Sequence, residues 1–342
     1  MPDHDTNPGS PVSSSGDLPS GFPSDFPWHP GEIALQEQAN VRELMEQRGP
    51  RWIRTHLIEQ HREFFPLLPN LIVGTLDPSG DVWATIREGH PGFLSVPDDK
   101  TLCMRVGADT SDPAEPGLSQ GEAIGLLGIQ LGTRRRNRLN GVILQRDDNG
   151  FRIGVDESFG NCAKYIQLRE FEFVRAPSLP GTRAPEMDTT VHARHRDFMA
   201  AADTFFVATY SDHNGKRRVD VSHRGGRVGF VRVDDDGALT IPDFAGNLFF
   251  NTLGNIHMNG RAGLLFPDFE KGSTLQLTGR AEVILDSPDI ARFPGAERFW
   301  RFYPERTVYR ADALALRWKK IEGREAPGTG QTGVWTDLEH RL

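Results

Sequence analysis

The sequence has only two cysteines, Cys103 and Cys162, in 342 residues. They form no C-x-x-C pair, so neither a disulfide framework nor a cysteine zinc site is expected. No apolar run approaches the roughly 18 residues that a membrane helix needs. The N-terminus also lacks the basic flank and apolar core of a secretory signal. These absences predict a soluble, cytoplasmic protein with no membrane partner.

Basic residues are the scarcer charge: 39 Lys and Arg stand against 47 Asp and Glu, a formal charge of −8. Nucleic-acid binders usually carry a basic surface, so no nucleic-acid partner is expected. The dinucleotide, Walker, zinc-protease and nucleophile-elbow motifs are all absent. The histidine pairs His192/His195 and His56/His61 lack carboxylates in register and are better explained as helix surface than as metal ligands. No metal site is predicted.

Residues 1–27 are rich in Pro, Ser, Gly and Asp, a composition that predicts a disordered tail. Helical patterns follow over Ile33–Arg48 and Ile53–Phe65, and short β-branched runs come after them. The resulting expectation has four parts: N-terminal helices with a first split barrel at 28–176, a linker at 177–190, a second split barrel at 191–325, and a C-terminal extension at 326–342.

An internal repeat organises the chain. Leu71–Thr75 matches Phe205–Thr209, 134 residues later. Further matches follow in order at nearly the same offset: Gly92-Phe93-Leu94 with Gly229-Phe230-Val231, Gly125-Leu126-Leu127 with Gly263-Leu264-Leu265, and Asn140-Gly141 with Thr278-Gly279. Each unit is a helix followed by about six short strands. The sequence therefore predicts a mainly β fold with a few flanking helices, in which two tandem split β-barrels pack as a pseudo-dimer within one chain. A ligand groove is expected between them, and the chain could dimerise again.

The stretch Arg217–Gly226 alternates like a strand and then turns on two glycines. Ser222, His223 and Arg224 offer hydroxyl, imidazole and guanidinium donors beside permissive backbone. Arginine binds phosphate oxygens in bidentate fashion, so this stretch is a candidate phosphate cradle. A solvated hairpin turn explains the same residues about equally well.

The stretch Gly246–Asn255 is the second candidate. We expect Leu248–Phe250 to form a strand, followed by uncharged donors at Asn251, Thr252 and Asn255. A helix beginning there would present free N–H groups to an anion. Simple helix capping is the alternative for one of the three residues.

Two further stretches are weaker. Arg134, Arg136 and Arg138 are expected to share one side of a strand, for which a solvated or structural role is favoured over an anion site. The segment Ser158–Gln167 is a plausible loop over a planar ligand through Lys164 and Tyr165. Cys162 within it is better explained as a small packing residue than as a nucleophile.

Residues 28 to about 321 resemble the pyridoxamine 5′-phosphate oxidase-like proteins, the FMN-binding split β-barrel superfamily, and in particular its long bacterial members with two tandem barrels. The segments that carry the resemblance are Trp28–Glu32, Glu59–Phe65, Thr133–Gly141, Phe159–Gln167, Gly246–Asn255, Arg261–Phe266 and Gln276–Glu282. The resemblance implies FMN held non-covalently between the barrels. Arg218 matches the family's phosphate-contacting Arg, while His223 stands where the family has Lys. Phe250 and Asn251 match a Tyr-Thr pair.

The cofactor-binding residues expected on these grounds are Lys164, Tyr165, Arg218, Ser222, His223, Arg224, Asn247, Asn251, Thr252, Asn255 and Gln276. The implied function is an FMN-dependent oxidoreductase acting on a small organic substrate, with NAD(P)H as a candidate electron donor. No catalytic residue is assigned. The alternatives are a non-catalytic flavin or haem carrier, with His223 or His257 as haem ligand, and a deazaflavin-dependent reductase.

Overall fold

The computed structural model describes residues 27–160, 163–179, 181 and 183–339. The predicted tail lies almost wholly outside these residues, and so does Cys162. The helices are α1 (Pro30–Gln38), α2 (Arg42–Trp52), α3 (Glu59–Phe64), α4 (Ala193–Ala200), α5 (Asn251–Asn259), α6 (Pro288–Arg292) and α7 (Trp335–Glu339). None of these helices is both long enough and apolar enough to span a membrane.

Two antiparallel sheets make up most of the molecule. The strands of the first half are β1 (Asn70–Leu76), β2 (Val82–Glu88), β3 (Leu94–Asp98), β4 (Thr101–Met104), β5 (Ala123–Gln130), β6 (Arg135–Asp147), β7 (Gly150–Gly160) and β8 (Arg169–Phe173). Those that follow are β9 (Glu186–Asp188), β10 (Thr204–His213), β11 (Lys216–Gly225), β12 (Arg232–Val233), β13 (Leu239–Phe244), β14 (Arg261–Pro267), β15 (Thr274–Ile284), β16 (Ala296–Arg310) and β17 (Leu316–Lys320).

The two sheets repeat one topology. The first runs β2-β1-β5-β6-β7-β4-β3 and the second runs β11-β10-β14-β15-β16-β13-β12, which is the same order with each strand replaced by its repeat partner. Both sheets also carry an irregularity at the same place, at Asn140/Gly141 and at Thr278/Gly279. The predicted mainly β, tandem-barrel fold is confirmed.

Glycines bring the two halves together about a pseudo-twofold axis. A Cβ on Gly125 would lie 2.6 Å from the carbonyl oxygen of Val219, and one on Gly263 would lie 2.2 Å from that of Val82. Because each pair is the repeat image of the other, the contact is reciprocal, as in a symmetric dimer. Only residues without a side chain allow β5 to approach β11, and β14 to approach β2, this closely.

Each half has its own apolar core, and a third core lies beneath the seam between the sheets. The shared core joins Ile72 and Leu127 of the first half to Phe206 and Leu265 of the second. Because this core is continuous across the seam, the halves are held together mainly by the burial of apolar side chains.

The ends of the halves are also tied together. Strand β8, at the end of the first half, pairs with β17 at the end of the second. The predicted linker at 177–190 contains β9, which pairs with β16, so part of it is a strand and not a free connection. In the C-terminal extension, Trp335 packs into the core of the second half.

The predicted N-terminal helices are shorter than expected. The pattern over Ile33–Arg48 is two helices because Asn40 adopts a left-handed conformation, φ 55°, between α1 and α2. The second pattern, Ile53–Phe65, is α-helical only over Glu59–Phe64. Apolar spacing alone did not reveal either break, since buried or half-buried apolar residues lie on both sides of each one.

Candidate functional site

A cleft opens between the two halves where β6 of the first faces β11, β13 and the start of α5 of the second; we name it the Arg138 cleft. Its walls include Arg136, Arg138, Ser222, Arg224, Asn251 and Thr252. Its enclosed volume is about 110 Å³. Small-molecule sites usually enclose about 300–1,000 Å³, so the Arg138 cleft by itself is too small to enclose a whole ligand of that size.

Arg138 reaches across the seam from the first half to the second. Its guanidinium donates to the Ser222 hydroxyl, to Asn251 Oδ1 at 3.0 Å and to Asp220 Oδ1 at 3.3 Å. It also lies 5.2 Å from the centre of the Phe159 ring. Its Nε has no hydrogen-bond partner among the described residues. Arg138 therefore places a buried, fixed cation in the cleft wall.

A second group of charges lies on the opposite wall. Asp243 accepts from Arg224 at 2.6 Å and from Arg298 at 2.5 Å. With Arg136 and Arg138, the cleft has four arginines against two acidic residues, Asp243 and Glu297. The local charge is positive although the whole chain is acidic, which favours an anionic ligand.

Two left-handed residues set the start of α5. Leu248 has φ 66° and Phe250 has φ 64°, so the predicted strand over 248–250 is wrong: this segment is an irregular connection. Such backbone is costly for residues with a side chain. It turns Asn251 and Thr252 into the cleft, where the Thr252 hydroxyl donates to Ser222 Oγ at 3.0 Å.

Behind the Arg138 cleft lies a network of three buried acids, Glu32, Glu157 and Asp220. The Asn251 side chain donates to Glu32 Oε1 at 2.5 Å, and Asn140 and Asn255 donate to Asp220 at 2.8 and 3.0 Å. Burial, with the nearby Asp220 charge, raises the pKa of Glu32 to about 8. Burial also raises the pKa of Glu157 to about 7, although Arg218 opposes the change. The network thus holds protons near neutral pH.

Most of the expected cofactor residues meet in one place. Tyr165, Ser222, His223, Arg224, Asn247, Asn251 and Thr252 all line the Arg138 cleft. Arg218 and Asn255 lie instead in the acid network behind it, where Arg218 pairs with Glu157 at 3.5 Å. Lys164 lies beside the ring of Tyr165, at 5.5 Å from its centre.

Gln276 does not lie in this cleft. It is on β15 of the second half and donates to the carbonyl oxygen of Ala84 at 3.1 Å, in the pseudo-equivalent position across the axis. Its repeat partner is Arg138, so Gln276 lies in the related cleft on the other side of the axis, and its predicted role in cofactor binding stays a prediction. Gln276 and Arg138 are separated by the offset of the internal repeat, so the sequence alone could have shown that they occupy equivalent positions.

The arginine run supplied the residues that sequence reasoning undervalued. Arg134 has φ 63° and lies in the turn before β6, where it donates to the carbonyl oxygen of Ile166 at 2.9 Å. The sequence predicts that Arg134 shares a strand face with Arg136 and Arg138, but it lies outside the strand. Arg136 and Arg138 do line the cleft. The burial of Arg138 next to Asp220 is not visible in a single stretch of sequence, which is why the sequence favours a solvated or structural role for these arginines.

His223 packs edge-on to Phe206, with ring centres 5.7 Å apart. Burial first, and then Arg136, Arg169 and Arg224, lower its pKa far below the usual range, so the imidazole is neutral. Its Nε2 has no hydrogen-bond partner among the described residues. His257, the other histidine considered as a haem ligand, lies on α5 and is not among the residues lining the cleft.

Residues 191–322 match the family model described as pyridoxamine 5′-phosphate oxidase. The match covers the second half of the chain, whose sheet order the first half repeats. Residues 191–322 are therefore similar to the pyridoxamine 5′-phosphate oxidase family, and the resemblance to that superfamily is confirmed. No curated protein matches the chain.

Solved structures with similar regions include HupZ from Group A Streptococcus, which is 18% identical with a TM-score of 0.28 and covers 36% of this chain and 97% of its own. A FAD-binding protein from Mycobacterium smegmatis is 14% identical, with a TM-score of 0.25 and coverage of 39% and 100%. A putative pyridoxamine 5′-phosphate oxidase from Lactobacillus delbrueckii is 16% identical, with a TM-score of 0.25 and coverage of 31% and 95%. Likenesses this distant carry no conclusion about ligand or activity.

Proposed function

We propose that the chain binds FMN in the Arg138 cleft and acts as a flavin-dependent oxidoreductase on a small organic substrate. The observation that carries the proposal is the convergence of arginines from both barrels on one cleft. A phosphate with a charge near −2 suits this surplus of guanidinium groups. The similarity of residues 191–322 to pyridoxamine 5′-phosphate oxidase supports the same ligand class.

The donor set fits the anionic end of a flavin nucleotide. Arg138 and Arg224 would hold the phosphate together with the hydroxyls of Ser222 and Thr252, because these groups line the same enclosed space. The Nε atoms of both arginines are buried and have no hydrogen-bond partner among the described residues. Asn247, Asn251 and Tyr165 add uncharged polar side chains to the lining of the cleft.

FMN, when bound, supplies hydride or single-electron transfer, and the protein supplies orientation and local charge. In this chain the buried Glu32 and Glu157 hold protons close to the cleft, because burial raises the pKa of each toward neutrality. Asn251 links Glu32 to the cleft wall through its side-chain amide. These groups would keep the region behind the ligand neutral while the arginines bind its phosphate.

The first experiment is the visible absorption spectrum of the purified full chain, with mass spectrometry of any small molecule released on heating. We expect a flavin spectrum, release of FMN, and about one FMN per chain. Bleaching by NADPH under nitrogen would support the enzymatic role, while a yellow protein inert to every donor would support a carrier. A colourless protein that also fails to bind added FMN would refute the proposal.

The second experiment tests the cleft itself by titrating FMN into the Arg138→Gln variant, which carries the residue of its own repeat partner. Loss of a charge-assisted contact should weaken binding roughly 10- to 100-fold. Arg152→Gln is the matched control because Arg152 is exposed on β7 of the same half. Equal affinities of the two variants, with both folded by circular dichroism, would exclude the Arg138 cleft.

Haem is the second candidate, favoured by one observation: the His223 imidazole lines the cleft, is neutral, and has no hydrogen-bond partner at Nε2 among the described residues. A neutral imidazole nitrogen is a common iron ligand. A Soret band in the isolated protein, lost in His223→Ala, would favour haem over FMN.

A further inference from the structure

The pseudo-twofold axis creates a second cleft, which we name the Arg87 cleft and define by Thr85, Arg87, Gln276 and Arg310. Thr85 and Arg87 on β2 are the repeat partners of Ser222 and Arg224 on β11. Gln276 on β15 is the repeat partner of Arg138 on β6. Three of these four residues therefore occupy the positions equivalent to Ser222, Arg224 and Arg138, which are hydrogen-bond donors that line the Arg138 cleft.

The Arg87 cleft is filled by the chain itself. In the first half, the connection Gly107–Gly121 stands where the second half has α5, and it carries Asp112 into the cleft. The Asp112 carboxylate accepts from the Thr85 hydroxyl and from Gln276 Nε2, the latter at 3.0 Å. It lies 3.4 Å from Arg87 and 3.6 Å from Arg310. A single carboxylate is thus bound by every member of the set.

Neighbouring contacts keep the connection in place. Arg310 also pairs with Asp109, while Glu115 pairs with Arg87 at 2.7 Å and with Arg146 at 2.6 Å. The Asp112 side chain is fully buried. Although burial alone would raise the pKa of Asp112, the charges of Arg87 and Arg310 outweigh it and hold that pKa below its ordinary value. The occupant is an ionised oxyanion.

We propose that the Arg87 cleft is a second oxyanion site, kept closed by Asp112, and that a free carboxylate or phosphate enters it once this side chain is removed. The site would then bind its ligand through the same four residues that now bind Asp112. Of the two clefts related by the pseudo-twofold axis, the Arg138 cleft is then the one that has space for an external ligand. The proposal rests on the contacts of Asp112 and not on the identity of the cofactor.

The test is chemical rescue of Asp112→Ala in the full chain, followed by thermal unfolding. Removing a buried charge partner should lower Tm by roughly 5–10 °C. Sodium acetate or phosphate should restore more than half of that loss, relative to sodium chloride at equal ionic strength. Acetate rescue without phosphate rescue would define a carboxylate-sized site, and rescue by both would define a general oxyanion site.

Two variants make the outcome decisive. Asp148→Ala removes an exposed acid in the β6–β7 turn and should gain nothing from acetate. Asp112→Asn fills the same space without charge and should also gain nothing. If Asp112→Ala does not fold in chloride, its refolding yield in acetate against chloride becomes the measurement. Absence of any acetate-specific gain in Tm or yield would overturn the proposal.

Discussion

The two clefts on either side of the pseudo-twofold axis are formed by equivalent strands, but one is open and the other is filled by a side chain of the protein. In the Arg138 cleft, the first half contributes Arg136 and Arg138 and the second half contributes helix α5, which leaves space beside four guanidinium groups. In the Arg87 cleft, Gln276 stands in place of Arg138 and an irregular connection replaces the helix, so that Asp112 fills the space. The exchange of Arg138 for Gln276 and the rebuilt connection are thus two clear differences between the cleft that has space and the cleft that Asp112 fills.

The difference extends to the acids near each cleft. Asp112 lies between two guanidinium groups, and its pKa is lowered. Glu32, behind the Arg138 cleft, accepts hydrogen bonds from Asn251 and from the backbone of His29, but burial dominates and raises its pKa. Equal burial therefore gives ionised or protonated carboxyl groups according to the placement of the arginines.

The largest expected effect is a difference in stability between two matched substitutions, one in each cleft. Arg87→Gln leaves the buried Asp112 charge with one guanidinium group fewer and should destabilise the fold by about 3–5 kcal/mol. Arg224→Gln should cost about 1 kcal/mol, because Arg298 continues to pair with Asp243, yet it should weaken FMN binding at least about tenfold. Urea unfolding and FMN titration measure the two effects. Equal stability losses in the two variants would contradict the comparison.

A somewhat smaller effect tests the symmetric seam that forms both clefts. Gly263→Ala should destabilise by about 2–3 kcal/mol, because the new methyl group would lie 2.2 Å from a backbone oxygen. Gly125→Ala should cost less, since the corresponding distance is 2.6 Å. Gly160→Ala is the control, as a Cβ there meets nothing within 4 Å. Free energies of unfolding from urea titration should follow this order, and a reversed order would show that the seam relaxes freely.

The smallest effect concerns pH. The folded chain keeps a proton on Glu32 up to about pH 8, whereas the unfolded chain releases it near the ordinary value of 4.5. Unfolding between these limits releases this proton, so stability should fall as pH rises from about 5 to 8, by no more than about 1.4 kcal/mol per pH unit. Glu32→Gln should flatten this slope. For Asp112 the sign is opposite, because its pKa is lowered: its contribution is lost only as pH falls below its ordinary value of 3.8.

Urea unfolding of the wild type and Glu32→Gln at pH 5, 6.5 and 8 measures this dependence. Arg152→Gln again serves as a control that leaves the acid network intact. Identical slopes in wild type and Glu32→Gln would show that Glu32 is ionised throughout, in spite of its burial.

The sequence predicted the repeated strands well and the connections between them poorly. The matches at Leu71–Thr75 and Phe205–Thr209 became β1 and β10 because β-branched, apolar runs suit buried strands whatever their neighbours. Leu248 and Phe250 were misassigned for the same reason: their side chains favour a strand, but tertiary packing holds them in left-handed conformations. Local propensity does not contain that information.

The candidate site was predicted in part, residue by residue. Ser222, Arg224, Asn251 and Thr252 lie next to one another along two segments, so their meeting followed from local spacing. Arg138 comes from the other half of the chain and reaches them only across the seam. Asp112 was not singled out at all, because an aspartate in a polar connection looks solvent-exposed until the opposite barrel supplies Arg310 and Gln276.

The internal duplication has a consequence for how this protein is able to change over time. In a dimer of identical subunits, every substitution appears twice, and any advantage at one interface groove is tied to its effect in the twin groove. Here the partners are consecutive lengths of a single polypeptide, tied at their ends by β8 and β17. Each groove is therefore free to mutate alone, and here Asp112 fills the Arg87 cleft while the Arg138 cleft keeps its space.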